Sequence, residues 1–184
     1  MSGSVGGVNH RRSGLVNIRS AGKDLQVVTS TDNVEYRTAT GQTPTNVSTT
    51  LNTAITPAAI SSRILVTFNF GTIQVGGNDS SEGWGLIKFS TGGGSDANLT
   101  PVGANAVVGG SHHFGLNLNN ATYQAEKISF IMLHSPSTTS ELVYKPYFWG
   151  EGVGAIIKLN RTQRDDANDF SAVATCVLME IAPN

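Results

Sequence analysis

The stretch KISFIMLHSPSTTSELVY, Lys127–Tyr144, divides into an apolar run, a Ser-Pro-Ser-Thr-Thr-Ser turn and a second strand-like run. In the first run Ile128, Phe130 and Met132 share one face and Ile131 and Leu133 share the other. Both faces are mostly apolar, which predicts a central strand buried on both sides. Turn residues that bond their own backbone follow it, so the chain reverses there. The pattern is that of the central hairpin of an all-β domain. Nothing within it has the make-up of a catalyst.

The flanking composition agrees with that reading. The chain has 184 residues, 39% apolar and 14% charged, with a net charge of −1. Ordinary soluble domains carry about 25% charged residues. Here Gly, Ser, Thr and Asn fill the deficit, which suits short strands and turns and disfavours a helical bundle with Glu- and Lys-rich faces. The near-neutral balance gives no basic field for nucleic acid. Cys176 is the lone cysteine, which excludes an intrachain disulfide and cysteine-rich zinc patterns. Its surroundings, AVATCVLMEI, predict a buried and inert thiol. No run approaches the ~18 apolar residues of a membrane span. The Gly/Ser-rich start lacks the apolar core of a secretory signal.

Residues 1–23 stand apart from the rest. They hold no acidic residue, carry Arg11, Arg12, Arg19 and Lys23, and have one apolar cluster at Leu15, Val16 and Ile18. Such a segment cannot bury enough surface to offset its own ordering entropy. It reads as an anchoring arm that orders by docking on another protein, with Leu15, Val16 and Ile18 adding a strand or filling a groove.

Residues 24–184 read as a head of about nine or ten strands and no helical period. Arg63–Phe70 has the cleanest alternation, with Ile64, Val66, Phe68 and Phe70 on one face. Thr56-Pro57 suits the start of one short helical turn. Ile73–Gly83 and the Gly-rich Thr91–Gly110 read as surface loops. Trp84–Ser90, His112–Leu118, Ala155–Asn160 and Phe170–Ile181 read as strands. Pro146 lacks a donor, which places Val143–Trp149 at a sheet edge or a bulge. These spacings predict an all-β, antiparallel β-sandwich, jelly-roll-like, behind an extended N-terminal arm.

Candidate chemistry is sparse. His112 and His113 are adjacent, so on a strand they point to opposite faces and do not share one metal. His134 ends an apolar strand and reads as a core-edge histidine. Asp165, Asp166, Asn168 and Asp169 offer oxygens, but Arg161 and Arg164 compete for them and the spacing lacks a calcium loop's pattern. Gly150, Gly152 and Gly154 precede a strand, not the helix on which phosphate cradling depends. No acid pair is placed for glycan hydrolysis. Trp84, Tyr123 and Trp149 are the candidates for surface binding, including of a host-surface glycan. No catalytic residue, metal or cofactor is expected.

Five short motifs occur in order: Ala54-Ile-Thr-Pro57, Ser61-Ser-Arg-Ile-Leu-Val66, Ser135-Pro-Ser-Thr-Thr-Ser140 with Val143-Tyr-Lys145, Leu159-Asn-Arg-Thr162 and Leu178-Met-Glu-Ile181. Together they resemble a β-rich family of virion structural proteins of tailed bacteriophages, especially phages of aquatic bacteria and cyanobacteria. The resemblance covers roughly Leu25–Ile181. It implies a non-enzymatic fibre, knob or capsid decoration, a homotrimer, located on the virion after assembly in the bacterial host cytoplasm. It implies other virion proteins as partners: a capsid, tail or fibre-anchoring protein. Nucleic acid and membrane insertion are not expected. The arm residues Arg11, Arg12, Leu15, Val16, Ile18 and Arg19 would then hold the virion, and the head would engage the host. The chain has no repeat or coiled-coil shaft, which favours a short knob or a decorating protein. A carbohydrate-binding module is the rival of another class.

Overall fold

The computed structural model describes residues 26–34, 36–39, 41–76, 82–99, 113–117, 126–150, 152, 154–161 and 172–182. They contain twelve strands and no helix: β1 (Val27–Asp32), β2 (Tyr36–Ala39), β3 (Thr45–Asn46), β4 (Thr53–Ile55), β5 (Arg63–Gly76), β6 (Glu82–Thr91), β7 (Ala97–Asn98), β8 (Phe114–Asn117), β9 (Glu126–His134), β10 (Leu142–Gly150), β11 (Ile156–Leu159) and β12 (Ala174–Ile181). All pairings are antiparallel and they form two sheets. The all-β antiparallel sandwich expected from the sequence is what the chain forms.

β5 organises the first sheet. β12 lies along one edge of its first half, with β1 beyond β12, while β9 lies along its other edge. Ile73 pairs with Glu126 of β9 on one side and Leu159 of β11 on the other. β11 therefore takes up the edge that β12 leaves, and β2 follows β11. The handover coincides with a register shift between Phe70 and Ile73. Gly71 sits there, and a Cβ on it would lie 2.4 Å from the Val173 carbonyl oxygen. A side chain at that position would push away the segment leading into β12.

The second sheet is built on β10. β6 runs along one edge, and β4 and β3 follow one another along the other. β7 and β8 then share the far edge of β6. Between the sheets, β5 contributes Ile64, Val66, Phe68 and Phe70, each at most 1% exposed. β12 adds Ala174, Cys176 and Leu178, and β10 adds Leu142, Tyr144 and Phe148. Phe70 and Phe148 meet edge to face across the layers, with centroids 5.1 Å apart. Each such ring removed from water stabilises the fold by about 1.5–3 kcal/mol.

Four expectations change. Ile73–Gly83 is not a surface loop where it is described: Ile73 and Val75 are core residues of β5 and Gly83 is in β6. β9 is not central, because among the described residues it pairs with β5 alone, and Ile131 and Leu133 are exposed. β10 is not an edge strand, despite Pro146. The Pro146 carbonyl accepts the Val47 N–H at 3.4 Å, and a strand residue's N–H and C=O point the same way. The missing donor thus faces Val47, just past the end of β3, and not β6, so the long ladder to β6 is kept. Finally, 58–61 make a single turn closed by Ser62 N–H donating to the Ala59 carbonyl at 3.0 Å, without a helix.

Candidate interaction surfaces

The outward face of the second sheet holds both tryptophans. Trp84 and Trp149 are directly opposed on β6 and β10, with ring centroids 6.1 Å apart. Leu86 and Tyr147 form the next opposed pair and pack against them. Trp84 is 6% exposed and Trp149 fully buried, so neither offers a stacking platform to a sugar. That corrects their assignment as surface-binding residues. Their alternation is that of an outward face, but this face is covered. Tyr123 and the arm residues Arg11, Arg12, Leu15, Val16, Ile18 and Arg19 lie outside the described residues, as do 100–112, with His112, and 162–171, with the Asp165–Asp169 cluster.

Beyond the aromatics, Lys88 and Lys145 stand opposite one another on the same face. Like charges at that spacing repel. β7 resolves this by bringing up Asp96, whose carboxylate accepts Lys145 Nζ at 2.6 Å and Tyr147 Oη at 2.5 Å. Lys88 Nζ lies 4.6 Å above the Tyr147 ring, a cation–π contact. Partial burial pulls the Asp96 carboxyl upward, but hydrogen bonds from Lys145 and Tyr147 and the two lysine charges outweigh it. Its pKa falls below the usual carboxylate range. Tyr147 is pushed up to about 12, first by burial and then by Asp96. The carboxylate and the phenol are committed to each other. The cluster clasps the strands, and no nucleophile or base is poised in it.

The described histidines are also engaged. His113 Nδ1 accepts the Ile87 N–H at 2.9 Å, while Nε2 lies 2.6 Å from the Leu99 carbonyl, which only an N–H there can bond. The ring is therefore neutral, protonated at Nε2, and it packs on Phe130 of β9. His134 Nδ1 lies 2.7 Å from Tyr144 Oη, and its ring contacts Phe89. Burial lowers its pKa. Each histidine joins β9 to the opposite sheet. Among the described residues no three His, Cys, Asp or Glu side chains gather to hold a metal. No described helix is long and apolar enough to cross a membrane.

The outward face of the first sheet is different in kind. Register aligns Val27, Met179, Leu65 and Leu133 in one row across β1, β12, β5 and β9. The row beside it is Thr29, Val177, Thr67 and Ile131, and the next is Thr31, Thr175, Asn69 and Ser129. None of these twelve side chains carries a charge. Val27 is 57% exposed, Leu133 43% and Ile131 66%. The two apolar-rich rows make this uncharged face a candidate interaction surface. Sequence alternation did point to Ile131 and Leu133, but it assigned them to a core.

Four of the five motifs that carry the resemblance lie at one end of the sandwich. Ile64 sits between His134 and Glu180 on neighbouring strands. Ala54 pairs with Val143, and the Glu180 carboxylate accepts the Ala58 N–H just past Pro57. The turn at 135–140, with Ser137 at a left-handed φ of 52°, joins β9 to β10 there. The motif opening at Leu159 lies at the other end, where Asn160, φ 64°, donates to the Asp32 and Val34 carbonyls.

No family model matches the chain, and no curated protein matches it by sequence. Solved structures overlap it at low similarity. A chain in the structure of infectious bursal disease virus, Gx strain, shares 13% identity at a TM-score of 0.38, over 88% of this chain and 41% of that one. A chain in the structure of the Gt strain shares 9% at 0.37, again over 88% and 41%. This chain thus spans well under half the length of either. The fold described above rests on strand order and register in this chain, independently of these overlaps.

Proposed function

We propose that this chain is a non-enzymatic bacteriophage virion structural protein, a surface-exposed knob held by its arm. Residues 1–23 anchor it to other virion proteins, and the sandwich head projects for attachment to the host surface. The observation that carries the reading is the convergence of 54–57, 61–66, 135–140 and 178–181 at one end of the head. There 63–66 pair with 178–181 and 54–55 pair with 142–143, beside the 135–140 turn, so the stretches that carry the resemblance share one region of the fold. The uncharged, apolar stripe on the first sheet supports contact with other proteins. The tryptophan cluster does not support a sugar-binding module, because its rings are covered. Capsid decoration is the second reading, supported by the same uncharged stripe on the first sheet.

The test is to image particles that lack the protein. Density lost from a tail or protruding fibre, with impaired adsorption, supports host attachment. Density lost from the shell, with particles that burst more readily, identifies a decoration protein. Unchanged particles would overturn both.

A further inference from the structure

The two lateral edges of the first sheet are finished differently. At the β1 edge, Ser30 Oγ lies 2.5 Å from Thr53 Oγ1, and the Ser48 hydroxyl donates to the Asp32 carboxylate. The Asp32 carbonyl is taken by Asn160 Nδ2 at 2.9 Å. β1 is thus stitched to the segment that leads through β4. β9, by contrast, presents its second backbone edge to no described strand over nine residues, Glu126–His134. Edge strands are usually blunted by proline, a bulge or a central charge. EKISFIMLH has no proline or glycine, and its charged residues Glu126 and Lys127 sit together at one end.

We propose that β9 pairs antiparallel with β9 of a second copy of this chain, about a two-fold axis at Phe130. In that register Phe130 faces its own counterpart, Ile128 faces Met132 and Ser129 faces Ile131. Lys127 faces Leu133, over which its methylene stem can lie, and Glu126 faces His134. All nine residues find a partner, and the two acidic and two lysine side chains stay apart. A parallel pairing would instead set Glu126 on Glu126 and Lys127 on Lys127. A one-residue slip would turn the second copy's core face outward. Sliding two residues further would lose pairs and run the strand against Pro136. The strand is complementary to itself, which is why a second copy fits it. The exposed Ile131 side chains then meet diagonally across the axis, within the ~7–8 Å reach of such neighbours. The pairing does not depend on where on a virion the chain sits, and it gives a dimer in place of the homotrimer that the resemblance implies.

The test uses the full chain. Ser129→Cys and Ile131→Cys variants, mixed and oxidised, should cross-link to each other several-fold more than either does alone, because those positions are opposed. Cys176 is buried, with its thiol pushed up to about 12, so the native cysteine contributes little background. Sedimentation across a concentration series should give dimers. Ile131→Lys, at an exposed position, should weaken dimerisation at least tenfold with melting unchanged. Cross-linking no greater in the mixture than alone, a monomer up to millimolar concentration, or a trimer would each overturn the pairing. So would dimers dispersed by Leu15→Asp but not by Ile131→Lys, which would give the edge to the arm.

Discussion

The carboxylate of Glu180, buried on β12, accepts the backbone N–H of Ala58 at 2.7 Å across 122 residues of chain. Its other oxygen accepts Gln26 Nε2 at 3.1 Å. One side chain so holds the turn before β5 and the residue before β1. Glu180→Ala removes both acceptors from a buried position, at about 1–3 kcal/mol. At about 2–4 °C per kcal/mol for a chain this size, the melting temperature should fall by roughly 2–12 °C. Glu180→Gln keeps an acceptor for Ala58 and should cost less. Thermal melting of the two variants checks the order.

Trp149 should behave as a core residue although it lies outside the main sandwich core. Trp149→Ala should destabilise by about 3–5 kcal/mol, the range for emptying a buried tryptophan site. In the intact protein both tryptophans should emit at short wavelength and resist quenching by acrylamide. Host-surface glycans should leave that emission unchanged at Trp84 and Trp149.

His134 makes the head sensitive to acid. Its folded pKa lies below the ordinary 6.5, so the unfolded chain binds the proton more readily. Stability is complete above pH 6.5 and declines as pH drops from there toward the folded value, levelling off below it. His134→Gln should flatten part of that decline. Urea midpoints at pH 7.5 and 5.5 for wild type and His134→Gln provide the comparison.

Asp96→Asn should release Tyr147. Without the anion, its phenol should titrate below its present value of about 12, while burial still holds it above the ordinary 10. Because the cluster is partly exposed, the stability change should stay within about 1 kcal/mol. Ultraviolet titration of tyrosinate reads the shift directly.

Strand content was legible wherever one face was buried and the other was polar. Arg63–Phe70 showed this, and its four alternate apolar residues are all in the core. Alternation fails where an outward face is itself apolar. Ile131 and Leu133 looked like a second buried face because their outward stripe has the composition of a core. Trp84 and Trp149 gave the opposite error, since an outward face there is covered. Pro146 misled for a third reason, which is that a missing donor matters only if a neighbour needs it. Which edge the missing donor faces is a property of pairing and leaves no mark in the local sequence. The Asp96 clasp was equally invisible, because it joins residues 49 and 51 positions apart.

The pairing of β1 with β12 has a consequence for how the head is made. Asp32 pairs with Ala174, so roughly 140 residues must be synthesised between the two partners. At about 5–20 residues per second, β1 leaves the ribosome many seconds before the strand that completes it exists. β5 waits almost as long for the same strand. Throughout that interval its row of Ile64, Val66, Phe68 and Phe70 has no finished layer to cover it. Production of this protein should therefore depend on chaperone supply and temperature more than its stability once folded would suggest.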